Sequence, residues 1–421
     1  MRLELLLAGV IALGVATAAQ AQFTQYSPPG SLAAEERSTK ERLEKAMEEA
    51  RWSLGPLRLE PWVGVGNLTY HDDLEPWREG KQSDVTISAG AGLAAFLPVG
   101  SRLLLAGYAL PEYSWWRETT RRNRLKGRYG VGAFVDLGRL ALEAKGTRST
   151  EPTFLGFDDE VPIDLRRQAA SLSAELRLLR RLSIYAEGED TRWRYRDEDL
   201  EGAPLPRLGT LDRDEQRAAG GLRYRFRDRL TLSLGYVRSV TDFAQSQFDR
   251  SNSGTAPTVG LTYSGTRLSL GAQVSEYQLE PRAGSSFRPF EGRTGQARAE
   301  WKLGPRSGVS VYSQRSLAYA FGGTSYYEVE TTGAAVRLPL GWRGSTSLFA
   351  ESGTHRFLEA ERQTRNVSLY GVTANLALRG RTTVSLRWDR RHYGALRGEE
   401  ERRYNSLIAG LNFGFGSAVT W

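Results

Sequence analysis

The stretch SDVTISAGAGLAAFLPVGSRLLL, residues 83–105, decides the fold. Every second residue from Val85 to Leu97 is apolar: Val85, Ile87, Ala89, Ala91, Leu93, Ala95, Leu97. A period of two is that of a β-strand with unlike faces. The segment Pro98-Val99-Gly100-Ser101 then interrupts it, and an apolar run resumes at Leu103. Two such runs across a few turn residues read as a hairpin.

The same unit recurs along the chain. Tight connections lie within VDLGRLALE (135–143), LLRRLSIY (178–185), FRDRLTLSL (226–234), YSGTRLSL (263–270), KLGPRSGVSV (302–311), LPLGWRGSTSL (338–348) and LALRGRTTVSL (376–386). Long polar stretches separate them, such as HDDLEPWREGKQSD (71–84), RDEDLEGAPLPRLGTLDRDEQ (196–216), TDFAQSQFDRSNSGT (241–255) and AFGGTSYY (320–327). Eight short turns alternating with nine long loops make seventeen connections, which join eighteen strands. Short turns at one end and long loops at the other are the layout of a transmembrane barrel. The expected fold is all-β: an antiparallel up-and-down barrel of about 18 strands over residues 56–421, with both termini at the short-turn end.

Alternation carries the membrane argument. In 295–303, Ala297, Ala299, Trp301 and Leu303 oppose Gln296, Arg298, Glu300 and Lys302. In 218–227, Leu222, Tyr224 and Phe226 oppose Arg223, Arg225 and Arg227, and Val384, Leu386 and Trp388 oppose Ser385, Arg387 and Asp389. Lipid satisfies the apolar face of a barrel, and a wet lumen satisfies the charged one. Two aromatic belts are expected. Phe226, Tyr263, Trp301, Trp342 and Trp421 fall near short turns; Trp115, Trp116, Trp193, Tyr277 and Trp388 fall toward the long loops.

Composition excludes other classes. The chain has 421 residues, no cysteine, two methionines and a formal net charge of +8. Basic and acidic residues are interspersed, so no nucleic-acid face is expected. No stretch, the N-terminal run included, reaches the roughly 20 apolar residues of a membrane helix. Residues 5–19, LLLAGVIALGVATAA, precede Ala19-Gln20-Ala21, so residues 1–21 read as a signal peptide cleaved after Ala21; a membrane anchor is the competing reading. Residues 22–55 form an N-terminal periplasmic segment with a helix over 31–52. Leu43, Ala46, Met47 and Ala50 make its apolar stripe, and Glu36/Lys40 and Glu41/Lys45 are its i,i+4 pairs. A solvated helix at a domain edge is the first expectation; an arm or partial plug is the alternative.

The chain ends SLIAGLNFGFGSAVTW, residues 406–421. This strand resembles the carboxy-terminal assembly signal of bacterial outer-membrane barrels, with Gly416, Val419 and Trp421 in its glycine and hydrophobic positions. It departs at Gly414, where that pattern often has a polar residue. The whole chain resembles the β-barrel porin group. The resemblance implies an outer-membrane location, contact with outer-membrane lipids and lipopolysaccharide, and a barrel-assembly machinery as partner. Some members of that loose group are linked to surface-polysaccharide export, which implies periplasmic secretion partners.

Motifs for chemistry are sparse. His71, His355 and His392 are far apart and read as solvated loop residues, and no G-x-S-x-G occurs. The carboxylates of 71–73 and 197–201 lack calcium-loop spacing. GAGLAA (90–95) lies inside a strand, which fails the context of a dinucleotide loop. No catalytic residue, metal or cofactor is expected, and the chain is not expected to be an enzyme.

The candidate functional residues are the inward charges: Arg58, Glu60, Glu143, Lys145, Glu175, Arg177, Arg223, Arg225, Arg227, Arg298, Glu300, Arg387, Asp389 and Arg391. Such a set reads either as a charged pathway attracting anions or as arginine–carboxylate pairs bracing the wall. Loop 196–216, loop 241–255 or the N-terminal helix could narrow the pore. The expected function is a porin-like channel for passive diffusion of small polar, mildly anion-preferring solutes. A polysaccharide-secretion conduit and an occluded structural barrel are the alternatives.

Overall fold

The structure, a computed structural model, describes residues 39–71, 83–154, 162–196, 208–226, 229–245, 249–320, 326–358, 363–378, 382–395 and 401–415. Among these residues it is a closed antiparallel barrel of eighteen long strands preceded by one helix and one short strand. Helix α1 (Thr39–Glu48) leads into β1 (Trp52–Leu54). The barrel begins with β2 (Leu57–His71) and ends with β19 (Arg402–Phe415).

Eight hairpins lie between. They are β3 (Asp84–Val99) with β4 (Leu103–Trp116), and β5 (Arg124–Asp136) with β6 (Leu140–Phe154). Next come β7 (Pro162–Arg177) with β8 (Leu182–Tyr195), and β9 (Arg213–Phe226) with β10 (Leu230–Phe243). Then follow β11 (Asn252–Ser264) with β12 (Leu268–Pro281), and β13 (Phe290–Lys302) with β14 (Gly308–Tyr319). The last are β15 (Tyr326–Leu340) with β16 (Gly344–Phe357), and β17 (Gln363–Ala377) with β18 (Thr383–Tyr393). Each strand pairs with its neighbours in sequence, and β19 closes on β2 through Ser406↔His71 and Ala409↔Leu68. Closure removes every long free edge, the condition for a sheet to sit in lipid.

Three short turns carry a glycine at positive φ: Gly100 (62°), Gly138 (80°) and Gly341 (60°). Only glycine adopts that region without strain, so these residues fix the tight ends. Gly92, of the GAGLAA stretch, has a different role. A Cβ there would lie 2.4 Å from the Ala109 carbonyl oxygen. Its hydrogen lets β4 pack closely on β3, which is a structural need of the wall.

The helix differs from expectation in extent and setting. It covers 39–48 within the expected 31–52; positions 31–38 lie outside the described residues, and the chain turns into β1 by Trp52. It is not a solvated edge element. Leu43 is 1% exposed, and Ala46, Met47 and Ala50 pack beside it against Trp62, Phe96, Leu104, Tyr108, Leu110 and Phe134. No described helix is long and apolar enough to cross a membrane. The signal-peptide reading of 1–21 and the assembly-signal residues Gly416, Val419 and Trp421 lie outside the described residues.

Candidate functional site: the barrel lumen

Strand alternation separates two surfaces. One carries exposed apolar side chains, such as Leu93, Val131, Leu172, Leu234, Val259, Val274 and Leu348. The other carries the buried or half-buried ones, and α1 packs against it. In a closed barrel the second is the inner face. By this parity Arg58, Glu60, Glu143, Lys145, Glu175, Arg177, Arg223, Arg225, Arg298, Glu300, Arg387, Asp389 and Arg391 share the inner face. Arg227 lies outside the described residues. Arg58, Arg177 and Arg225 are exposed near the short-turn mouth. Glu60, Asp389 and Arg391 are buried, 4–7% exposed, so they do not meet open water.

The inward charges occur largely in pairs. Lys145 meets Glu143 at 2.5 Å. Arg223 lies between Glu175 (2.6 Å) and Glu187 (3.2 Å) with its guanidinium 4.1 Å over the Tyr185 ring. Arg167 meets Glu189 at 2.9 Å. Across the barrel, Arg298 meets Glu300 at 2.9 Å and Arg387 meets Asp389 at 2.7 Å. Nearby, Tyr312 donates to Glu351 at 2.5 Å. Most of these partners sit two residues apart on one strand or on adjacent strands. Half-exposed pairs of this kind contribute up to about 1 kcal/mol each. Their larger effect is to present both signs of charge along the wall.

The short-turn half of the lumen is filled on one side by α1. The inner face of β2–β5 there is apolar where a water-filled lumen would be polar, and α1 covers it. A backbone link seats the segment that follows: the Arg51 amide donates to Glu60 Oε2 at 3.0 Å, and the Arg51 guanidinium lies 3.8 Å from the same carboxylate.

The long-loop half is crossed by the end of the β14–β15 hairpin. The β13–β14 ladder stops at Gly295↔Arg315. Beyond it β13 stays with β12, up to Phe290↔Leu279, and β14 stays with β15, up to Tyr319↔Tyr326. The two lips diverge. Leu317 and Tyr326 pack into one cluster with Ala219, Val237, Ala256, Tyr277 and Leu279, inner-face residues of β9–β12. Tyr319 receives a hydrogen bond from Asn252 Nδ2 at 2.9 Å, meets Phe243 edge-on and lies beneath the Arg213 guanidinium. The opposite face of the hairpin, with Ala318, Tyr327 and Val329, packs on Phe357 and His355.

Two long loops secure this strap. Arg250, 3% exposed between β10 and β11, donates to the Ala320 carbonyl at 2.5 Å and to the Thr210 carbonyl at 3.2 Å, over the Phe243 ring. Leu208–Leu211 form a buried single turn beneath it. Burial lowers the Arg250 pKa to about 10, with the nearby Arg213 charge lowering it further and Tyr319 and Tyr195 opposing. In the loop before β13 Phe287 stacks on Tyr326, and Arg288 donates to the Leu358 carbonyl.

Several side chains lie elsewhere than expected. Trp116, Trp193 and Tyr277 are buried on the inner face, so they are not belt residues. Trp115 and Trp116 are adjacent in a strand and cannot face one way. Trp193 instead lies between the Arg167 and Arg213 guanidinium groups, at 5.0 and 5.1 Å. Trp115, Trp301 and Trp388 are exposed on the outer face, and Trp342 is exposed in the β15–β16 turn. His355 is not a loop residue: it sits within β16, 3% exposed, beside Tyr327 and Tyr393. His392, also in a strand, meets Glu401 at 3.2 Å.

The barrel is similar to outer-membrane porins of known structure. Acinetobacter baumannii OccAB3 superposes with a TM-score of 0.52 at 8% identity, over 84% of this chain and 98% of the porin. Pseudomonas aeruginosa OccK2 (OpdF) gives 0.51 at 12%, over 84% and 97%. A BenF-like porin from Pseudomonas fluorescens Pf-5 gives 0.51 at 12%, over 86% and 100%. No protein-family model and no curated protein matches the sequence. At these identities the likeness is one of fold, and the match takes in nearly the whole of each porin.

Proposed function

We propose that the chain is a porin-like channel of the bacterial outer membrane, passing small polar solutes with a preference for anions, and not an enzyme. The observation carrying this reading is the inner wall. It sets paired charges of both signs around a lumen narrowed at both ends, the arrangement of a selective pore rather than a wide one. The net charge of +8 favours anions. The similar fold of OccK2 has been solved in complex with glucuronate, a small sugar acid, and supports the same solute class here. We further propose export with cleavage after Ala21, and assembly and lipid partners as the carboxy-terminal resemblance implies. A lumen crossed by a strap suits small solutes over a polymer. The packing of both α1 and the strap favours one second reading, a permanently occluded structural barrel.

Single-channel recording of purified protein in a planar bilayer separates these. Discrete conductance with an anion-side reversal potential under a salt gradient is expected; a barrel silent in all forms, including without α1, supports the structural reading. Within the channel, Glu175→Gln with Glu187→Gln releases Arg223 from its carboxylates and is expected to move the reversal potential further toward anions. Replacing Arg223, Arg225 and Arg227 by glutamine is expected to move it the other way. Unchanged potentials in both would place these residues outside the ion path.

A further inference from the structure

The divergence of β13 and β14 has a second solution within the same sequence. We propose that the β14–β15 end is a strand flap that closes the channel when tucked inside and opens it by zipping onto β13. The proposal rests on the channel reading.

Three observations carry it. First, the existing register extends without change. Gly295↔Arg315 continued by two residues sets Arg293 opposite Leu317, and by five sets Phe290 opposite Ala320. Both lips are already extended, held by β12 on one side and β15 on the other. Zipping would therefore add ladder bonds without refolding either strand, and would remove two strand edges.

Second, side-chain parity fits the zipped wall. Leu317, Tyr319 and Tyr326 belong to the outward set, in step with Arg315. In the tucked state Leu317 and Tyr326 are buried on the inner wall of β9–β12, with Tyr319 half-buried beside them. In the zipped state they would join the outer face at the long-loop end, where aromatic residues suit a membrane interface.

Third, the flap is braced as a unit at its root. Arg315 meets Glu328 at 2.9 Å and Glu330 at 3.4 Å, and Arg356 meets Glu328 at 3.1 Å. These pairs tie β14 and β15 to β16 at the last rung shared with β13, and the β15–β16 ladder runs on to Tyr327↔Phe357, so the end of β16 moves with the flap.

The chain has no cysteine, so introduced thiols report alone. In the full-length protein, Arg293→Cys with Leu317→Cys is treated with oxidant or a short bifunctional thiosulfonate. The bridge is expected to form and to raise conductance at least two-fold until reductant is added. Ala256→Cys with Leu317→Cys traps the tucked state and is expected to lower open probability, again reversibly. Mass spectrometry scores both bridges. A 293–317 pair that stays unbridged while 256–317 bridges overturns the flap, as does a bridged 293–317 barrel that conducts no better. The channel reading is scored separately by removing residues 39–50: conduction there with no response to the bridge sinks the flap alone, and silence there sinks the channel.

Discussion

Arg250→Ala is expected to raise the open-to-closed ratio of the channel about a hundredfold. In the closed arrangement the guanidinium joins three segments distant in sequence: the Ala320 end of the strap, the Thr210 turn and its own loop. Its removal leaves two carbonyls in a buried place, at about 1–3 kcal/mol each. Burying a cation is itself costly, so part of this loss is offset. A net change near 2.8 kcal/mol corresponds to two powers of ten. Arg250→Lys keeps the charge but not the fork that reaches both carbonyls, and is expected to fall between. A pH test is independent. Burial favours the neutral form, and the pKa is lowered to about 10. Because the latched state holds the proton less tightly than a solvent-exposed arginine does, raising pH through about 10 strengthens the latch. Open probability should fall above about pH 10 in the unmodified protein and stay flat there in Arg250→Met. A closed channel in Arg250→Ala would remove Arg250 from the latch.

How far the sequence discloses this depends on which face is asked about. The outer face obeys one rule, apolar side chains toward lipid, and strands such as 85–97 and 295–303 declare it by strict alternation. The inner face obeys no single rule, because some of it meets water and some meets protein. Trp116 and Trp193 look like belt residues until parity turns them inward. The docking wall of α1 did leave a signal: 103–110, LLLAGYAL, is apolar on both faces, the mark of a strand buried on both sides. Leu104, Ala106 and Leu110 are the positions that α1 and its neighbours cover. The strap left less. AFGGTSYY reads as another loop, and only its low polarity separates it from the charged loops around it. Of the segments weighed as constrictions, 196–216 and 241–255 contribute Leu208–Leu211 and Arg250, yet the Ala320 end they hold lies far away in sequence, 70 residues from Arg250. Pairing across a lumen has no local code.

Removal of α1 is the other large effect expected. A helix with its side chains is about 10 Å across, a substantial share of the interior of an eighteen-stranded barrel. Deleting residues 39–50 is therefore expected to raise single-channel conductance at least roughly two-fold. The deletion also bares Phe96, Leu104, Leu110 and Phe134 to lumen water, and some loss of thermal stability accompanies it. A gentler variant separates docking from wall damage. Leu43 is 1% exposed at the centre of the contact, and Leu43→Ala removes about 2–5 kcal/mol of packing. Since 1.4 kcal/mol is tenfold, the docked-to-undocked ratio falls by at least an order of magnitude while the wall stays whole. Conductance in that variant should alternate between two levels, the upper matching the deletion. Arg51→Ala, which loses the guanidinium contact to Glu60 but keeps the amide bond, should favour the upper level less strongly. If Leu43→Ala and the deletion both conduct as the unmodified chain does, α1 does not stand in the solute path, and its role is to complete the apolar wall of β2–β5.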